Sequence, residues 1–442
     1  MNTSKNQNIV YFTDSTLRDG EQCRVAEIST TKRIEVFKQI LKTGIDVIEV
    51  GHGANPNDWQ LIIELIKLKD QFKNKARLQI LFGSQFDLFE EKITQLKKLL
   101  GSEIDLIVLH IYDRLDQNLR HLAGTNYSVD DSVQRVAKCL NFAADLGFSN
   151  FSISGEGATG LDPDAAADFY CQIVSAVKNP PRLNYFNINL ANTYGLSLGW
   201  GSAWNLDGLR SFKKLVDKIG HKRGLSLGFS IHSHNDYGSA INSSLLALQA
   251  GFDRVEGTLI GMGERAGNAA LCDLILRILE ISRASALSSP IKLSSGLSSE
   301  LNHWFEVCQT IVELYSSQSA ESEACRRWQA TALGNPSAFE AGSGPHDHGT
   351  KGHFEQPLET PGWNQYLYSS LVRAILADPQ AEQVLDFDPS LAKKITLAKH
   401  TGGGSTQKVI AGEIKFSNLE EYSAARQNAT SLKSAVKKAL LC

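Results

Sequence analysis

Residues 9–17 read IVYFTDSTL, residues 31–44 read TKRIEVFKQILKTG and residues 47–51 read VIEVG. The first and third runs are short and rich in β-branched and aromatic residues, the texture of strands buried on both faces. The middle run places Ile34, Phe37, Ile40 and Leu41 on one helical face. It closes at Gly44, a residue suited to the left-handed turn that ends a helix. Strand, helix and strand in this order make a βαβ unit.

The unit recurs along the chain. Further strands are expected at Arg77–Ser84, Leu106–Tyr112, Phe151–Glu156, Tyr185–Thr193, Gly228–His234 and Arg254–Gly261. Helical spacing returns in Ser128–Gly147, through Val133, Val136, Leu140 and Ala144, and in Asp162–Asn179, which opens with Pro163 in an acidic turn. Eight strands, each followed by a helical stretch, predict an α/β fold, a closed (β/α)8 TIM barrel over residues 1–284. A doubly wound open sheet is the alternative, but no GxGxxG follows the first strand.

After residue 284 the texture changes. Ser285–Glu300 is Ser-rich and reads as a hinge, and Leu301–Ser316 as a helix. Gly334–Pro361 is rich in Gly, His and Pro, long for a plain loop. Helical patterns resume at Trp363. The expected plan is a catalytic barrel (1–284), a linker and active-site-covering subdomain (285–362) and a helical C-terminal subdomain (363–442).

Composition narrows the partners. The 442 residues are 42% hydrophobic and 21% charged, with a formal net charge of -3. That balance gives no electrostatic case for nucleic acid or an anionic membrane. No apolar run reaches the ~18 residues of a membrane span. The polar residues 1–7 lack the apolar stretch of a signal peptide, so a cytoplasmic location is expected. Seven cysteines, with no CxxC pair, argue against a disulfide framework and a thiolate zinc site.

Barrel chemistry sits at the C-terminal ends of the strands. The first strand runs into Thr13-Asp14-Ser15-Thr16-Leu17-Arg18-Asp19-Gly20-Glu21-Gln22. Asp14 could hold a divalent cation and Arg18 could stabilise an enolate oxygen; a solvated turn is the plainer reading. The seventh ends in Ile231-His232-Ser233-His234-Asn235-Asp236. Residues two apart on a strand point the same way, so His232 and His234 present two imidazoles to one side. The alternative is a hydrogen-bonded core pair. The eighth runs into Gly261-Met262-Gly263-Glu264-Arg265-Ala266-Gly267-Asn268, where glycines allow close backbone approach and Asn268 offers a neutral oxygen. Asp14, His232, His234 and Asn268 form a mixed O/N set suited to Mg2+, Mn2+ or Zn2+.

DSTLRDGEQ, HSHNDYGSA and GTLIGMGERAGN together resemble the signatures of the 2-isopropylmalate synthase and homocitrate synthase family. The resemblance implies a metal-dependent barrel enzyme that joins acetyl-CoA to a 2-oxo acid. It implies Asp14, His232, His234 and Asn268 as metal ligands and Arg18 as the electrophilic arginine on the acceptor carbonyl. Gln22 would lie beside the substrate carbonyl or thioester. Glu156 matches a glutamate that orients the arginine, Thr193 a carboxylate-binding threonine, and His110 an acceptor contact. Beyond the barrel, Ala338-Phe339-Glu340-Ala341-Gly342-Ser343-Gly344-Pro345-His346 resembles the family's AF…SG.H segment. His346, with Tyr366, would then reach a partner subunit's active site and assist proton transfer, which implies a homodimer.

The chain departs from that family at Gly51-His52-Gly53, which resembles the 4-hydroxy-2-oxo acid aldolases, and at Asn192, where many relatives carry Asp. These changes and the Trp200-Gly201-Ser202-Ala203-Trp204 loop point to a specialised acceptor, such as the phenylpyruvate used by benzylmalate synthases. The expected absence of a regulatory domain implies no leucine feedback. The competing readings are a metal-dependent lyase or aldolase on the same barrel, and a non-catalytic paralogue that only binds.

Overall fold

The computed structural model of the protein describes residues 8–22, 29–73, 75–122, 127–283, 291–300 and 304–316. Eight parallel strands lie in sequence order: β1 (Asn8–Asp14), β2 (Val47–His52), β3 (Arg77–Gly83), β4 (Ile107–Arg114), β5 (Asn150–Glu156), β6 (Tyr185–Asn192), β7 (Leu227–Ser233) and β8 (Arg254–Gly257). β1 pairs with β8 from Tyr11↔Arg254 to Asp14↔Gly257, and with β2 at Thr13↔Val47 and Asp14↔Ile48. Those pairings close the sheet into a TIM barrel, as the repeat predicts. The helices are α1 (Thr30–Leu41), α2 (Pro56–Lys67), α3 (Phe86–Leu100), α4 (Gln117–Leu122), α5 (Val129–Asp145), α6 (Pro163–Ala176), α7 (Leu206–Lys222), α8 (Ala240–Gln249) and α9 (Leu271–Arg283). α4 is a short extra turn between β4 and α5; each other helix returns the chain to the next strand.

Local sequence starts these helices. Ser29, Asn55, Ser128, Asp162 and Asn205 each accept a hydrogen bond from the first turn that follows, satisfying amides a helix leaves unpaired. At Ser128 the bond is reciprocal, because the Asp131 carboxylate accepts from the Ser128 amide. Pro56 and Pro163 open their helices, where a missing N–H costs nothing.

Two layers of side chains result from the period of the strands. On β1, Val10 and Phe12 point to the helices and join the apolar shell with Ile48, Ile80, Ile153, Ile188 and Ile231. The alternate residues point to the axis, which here is polar. The Arg254 guanidinium lies 4.7 Å from the rings of both Tyr11 and Tyr185. Above it, Asn187 donates to Ser152 (3.0 Å) and Ser230 (2.8 Å). Barrel interiors are more often filled by Val, Ile and Leu. A polar axis persists when its groups are hydrogen-bonded to one another.

Part of the expected hinge is ordered structure. β9 (Ile291–Leu293) pairs in parallel with Asn8–Val10 of β1, and α10 (Ser295–Ser299) follows. The β-branched and apolar residues of Ile291-Lys292-Leu293 give the run strand character that its serines conceal. α11 (Trp304–Ser316) matches the expected helix; Trp304, Ile311 and Tyr315 join the barrel's core. Trp304 Nε1 donates to the Thr43 carbonyl (2.9 Å). Among the described residues no helix is long and apolar enough to cross a membrane.

Candidate metal centre

At the C-terminal mouth, the loop after β1 folds back over the axis. It carries Asp19 to the two imidazoles at the end of β7. Asp19 Oδ2 lies 3.2 Å from His232 Nε2 and 4.0 Å from His234 Nε2, and all three residues are buried. The far nitrogen of His232 faces Glu256 at 3.2 Å. Asn268 joins His234 through an isolated antiparallel bridge. Its side-chain amide donates to the Met262 carbonyl (2.9 Å) and its Oδ1 remains. Gly263 makes this possible, because a Cβ there would lie 2.1 Å from Asn268 Nδ2.

The electrostatics select the same carboxylate. Burial opposes ionisation of Asp19, but the Arg18 guanidinium, 2.8 Å away, holds its carboxyl well below the usual range. Burial also disfavours the charged form of His232, yet Asp19 and Glu256 outweigh it and raise the imidazole to about 9. His234 is pushed the other way, first by burial and then by Arg265. Among the described residues Asp19 Oδ2, His234 Nδ1 and Asn268 Oδ1 are buried without a hydrogen-bond partner. Buried polar atoms are seldom left so. Anionic oxygen, neutral oxygen and imidazole, with no thiolate, fit a divalent cation. Two ligands each ~2.1 Å from such an ion sit about 3 Å apart when at right angles.

Asp14 is placed elsewhere. It shares the outward face of β1 with Val10 and Phe12, and its carboxylate accepts from the Thr16 amide (3.1 Å) and hydroxyl (2.8 Å). Burial pushes its carboxyl up to about 7. The structure therefore brings Asp19 to the histidines in the place that the sequence reading gave to Asp14. The alternation Val10, Phe12, Asp14 in the sequence carries that signal.

Arg18 points into the axis. Its Nε donates to Glu49, its Nη1 pairs with Asp19 and its Nη2 lies 3.4 Å from Glu256. The acids that hold it come from β2 and β8, where the resemblance pointed to Glu156. Glu156 pairs with Arg114 (3.1 Å). His110 lies within β4, which runs on to Arg114, and is buried beneath Arg18. Its ring nitrogens meet Glu49 (2.6 Å) and Ser154 (2.5 Å). Gln79 joins this group, with its amide nitrogen 2.7 Å from Glu49, 3.1 Å from Glu256 and 3.1 Å from His110. Thr193 directly follows β6 at the mouth, where its hydroxyl accepts from the Gly157 amide (2.8 Å). Gln22 closes the short turn Gly20–Gln22 that follows Asp19. His346 and Tyr366 lie outside the described residues.

A model of the HMGL-like family matches residues 9–298, spanning β1 through α10. The chain belongs to the HMGL-like family. Chains similar to it include the 2-isopropylmalate synthase of Buchnera aphidicola subsp. Cinara cedri, 28% identical over 281 residues, covering 62% of this chain and 48% of that one. The 2-isopropylmalate synthase of Cronobacter sakazakii is 29% identical over 276 residues, covering 62% and 47%. The chain thus spans about half the length of the curated relatives it matches. Among solved structures, the hydroxymethylglutaryl-CoA lyase of Pseudomonas aeruginosa superposes with a TM-score of 0.51 at 16% identity, covering 72% of this chain and 97% of that one. At that identity the likeness is one of fold. These relatives give no support to an aromatic acceptor.

Proposed function

We propose that this HMGL-like chain condenses acetyl-CoA with a 2-oxo acid to give a 2-substituted malate and CoA. The buried Asp19–His232–His234 group, with Arg18 fixed beside it, carries the reading. The likeness of the barrel to chains named 2-isopropylmalate synthase supports it.

Asp19, His232, His234 and Asn268 would hold the divalent cation, and Glu256 would orient the His232 ring from behind. A bound cation supplies Lewis-acid polarisation of the acceptor's keto group. Arg18 then faces the oxygen on which negative charge develops. Its guanidinium is already fixed by Glu49, Glu256 and Asp19, so it need not reorganise. The acetyl methyl loses a proton to a general base, its carbon bonds to the keto carbon, and the keto oxygen gains a proton. Water then cleaves the thioester and releases CoA. His346 and Tyr366, donated from a second copy, are the proposed proton relay, with Thr193 on the acceptor carboxylate and Gln22 beside the carbonyl or thioester.

The test is CoA release, followed with a thiol reagent. The assay contains acetyl-CoA, Mg2+ or Mn2+, and in turn pyruvate, 2-oxoisovalerate, 2-oxoglutarate and phenylpyruvate. Release that requires one acceptor is expected. Absence of release with every acceptor would sink the condensation; splitting of a 3-hydroxyacyl-CoA would then establish a lyase.

A further inference from the structure

Arg265 stands in a conformation that side chains with a Cβ seldom adopt. Its φ is +55°, one of two positive values at non-glycine residues among the described ones. It follows Glu264 in the loop after β8 and is 1% exposed. Strain and burial of a cation both oppose this placement, so the surroundings must over-determine it.

The surroundings are three loops at the barrel's mouth. Arg265 Nε donates to Asp236 Oδ1 (2.8 Å) and Nη2 to Asp236 Oδ2 (3.1 Å), a two-point clamp on the loop after β7. Nη2 also donates to the Thr193 carbonyl (2.5 Å), at the end of β6. Nη1 donates to Glu264 Oε1 (2.5 Å) within its own loop. Each loop carries one group of the candidate site: Thr193 itself, His234 two residues before Asp236, and Asn268 three residues after Arg265.

We infer that Arg265 is a positioning residue for the metal centre, setting the separation of His234 and Asn268 by pinning both their loops to one guanidinium. The inference rests on the metal reading above. The bridge between His234 and Asn268 joins their loops by two backbone hydrogen bonds, from the Asn235 amide to the Gly267 carbonyl (2.9 Å) and from the Ala269 amide to the Ser233 carbonyl (3.0 Å), and the Arg265 fork adds the side-chain clamp that ties both loops to Thr193. A planar fork can span Asp236 and the Thr193 carbonyl together; a lysine ammonium offers a single point and cannot reproduce the two-point clamp. Backbone strain at φ +55° is then the local cost of aiming the fork inward while the chain turns back toward Asn268.

The experiment titrates Co2+ into the metal-free full chain and follows the absorption of the bound ion. For the wild type, saturable uptake is expected. Arg265→Lys should weaken Co2+ affinity by about 10–100-fold, the range for residues that orient metal ligands, while the metal-free protein keeps its melting temperature within a few degrees. Unchanged affinity in a folded Arg265→Lys protein overturns the inference. Should that variant not fold, Asp236→Asn takes its place, since it keeps the arginine and the Thr193 bond, and the same loss is expected. Failure of both to fold assigns the cluster to holding the barrel and also overturns it. A wild-type chain that takes up no Co2+ breaks the metal reading itself, and the inference with it.

Discussion

Two buried groups of acid and histidine lie one above the other in this barrel, Asp19–His232–His234 at the mouth and Glu49–His110–Glu256 below. By residue type and burial either could hold a cation. They differ in what their atoms already do. In the lower group Glu49, His110, Gln79 and Glu256 satisfy one another, and Arg18 supplies the positive charge that two carboxylates need. In the upper group Asp19 Oδ2, His234 Nδ1 and Asn268 Oδ1 have no hydrogen-bond partner among the described residues. A buried group with its hydrogen bonds made is structure, whereas one with capacity left over is prepared for a ligand. Glu256 and Arg18 join the two, because Glu256 faces His232 and Arg18 pairs with Asp19.

The largest effect expected follows from breaking the upper group. His232→Ala or Asp19→Asn should lower divalent-cation affinity by more than ~100-fold, beyond the range for outer residues, and chelation with EDTA should abolish CoA release reversibly. Metal content after dialysis and turnover on reloading measure both. Asp14→Asn is the matched control. Cation affinity as low in it as in Asp19→Asn would return the ligand role to Asp14.

Glu256→Gln should give the next largest effect, a fall of about 10–100-fold in cation affinity, because the carboxylate behind His232 is lost while the ligands remain. A metal titration identical to wild type would separate the two groups completely. The lower group alone should answer in stability. His110→Phe removes partners of Glu49 and Ser154 and should lower stability by about 1–3 kcal/mol, with cation affinity within about threefold of wild type. Denaturant melts and the same titration test it; intact stability with impaired binding would reverse the assignment.

The last prediction concerns Asp14 and pH. Its folded pKa of about 7 lies above its ordinary value of 3.8, because burial disfavours the anion. A raised carboxyl contributes stability below its unfolded pKa and loses it as pH rises through the folded one. Wild-type stability should therefore fall relative to Asp14→Asn between about pH 4 and 7. Parallel melting curves for the two proteins across that range would refute the shift.

Much of the molecule was legible in its sequence. The short β-branched runs and the helical spacing between them determined eight βα units, since a strand buried on both faces and a helix buried on one leave different apolar spacings. The two-residue spacing at the end of β7 placed the His232 and His234 imidazoles on one side, because that geometry is local. The serines of residues 291–300 hid β9, which pairs with β1 at Asn8–Val10. The choice between Asp14 and Asp19, five residues apart, belonged to tertiary structure. One stays on the outward face of β1, and the other is carried inward by a turn and held ionised by Arg18. The acids that hold Arg18 come from β2, the next strand, and from β8, a neighbour of β1 only because the barrel closes. Sequence spacing fixes which residues share a face of one element; which faces meet, and which carboxylate is ionised there, depends on distances and desolvation that exist only once the chain has closed on itself.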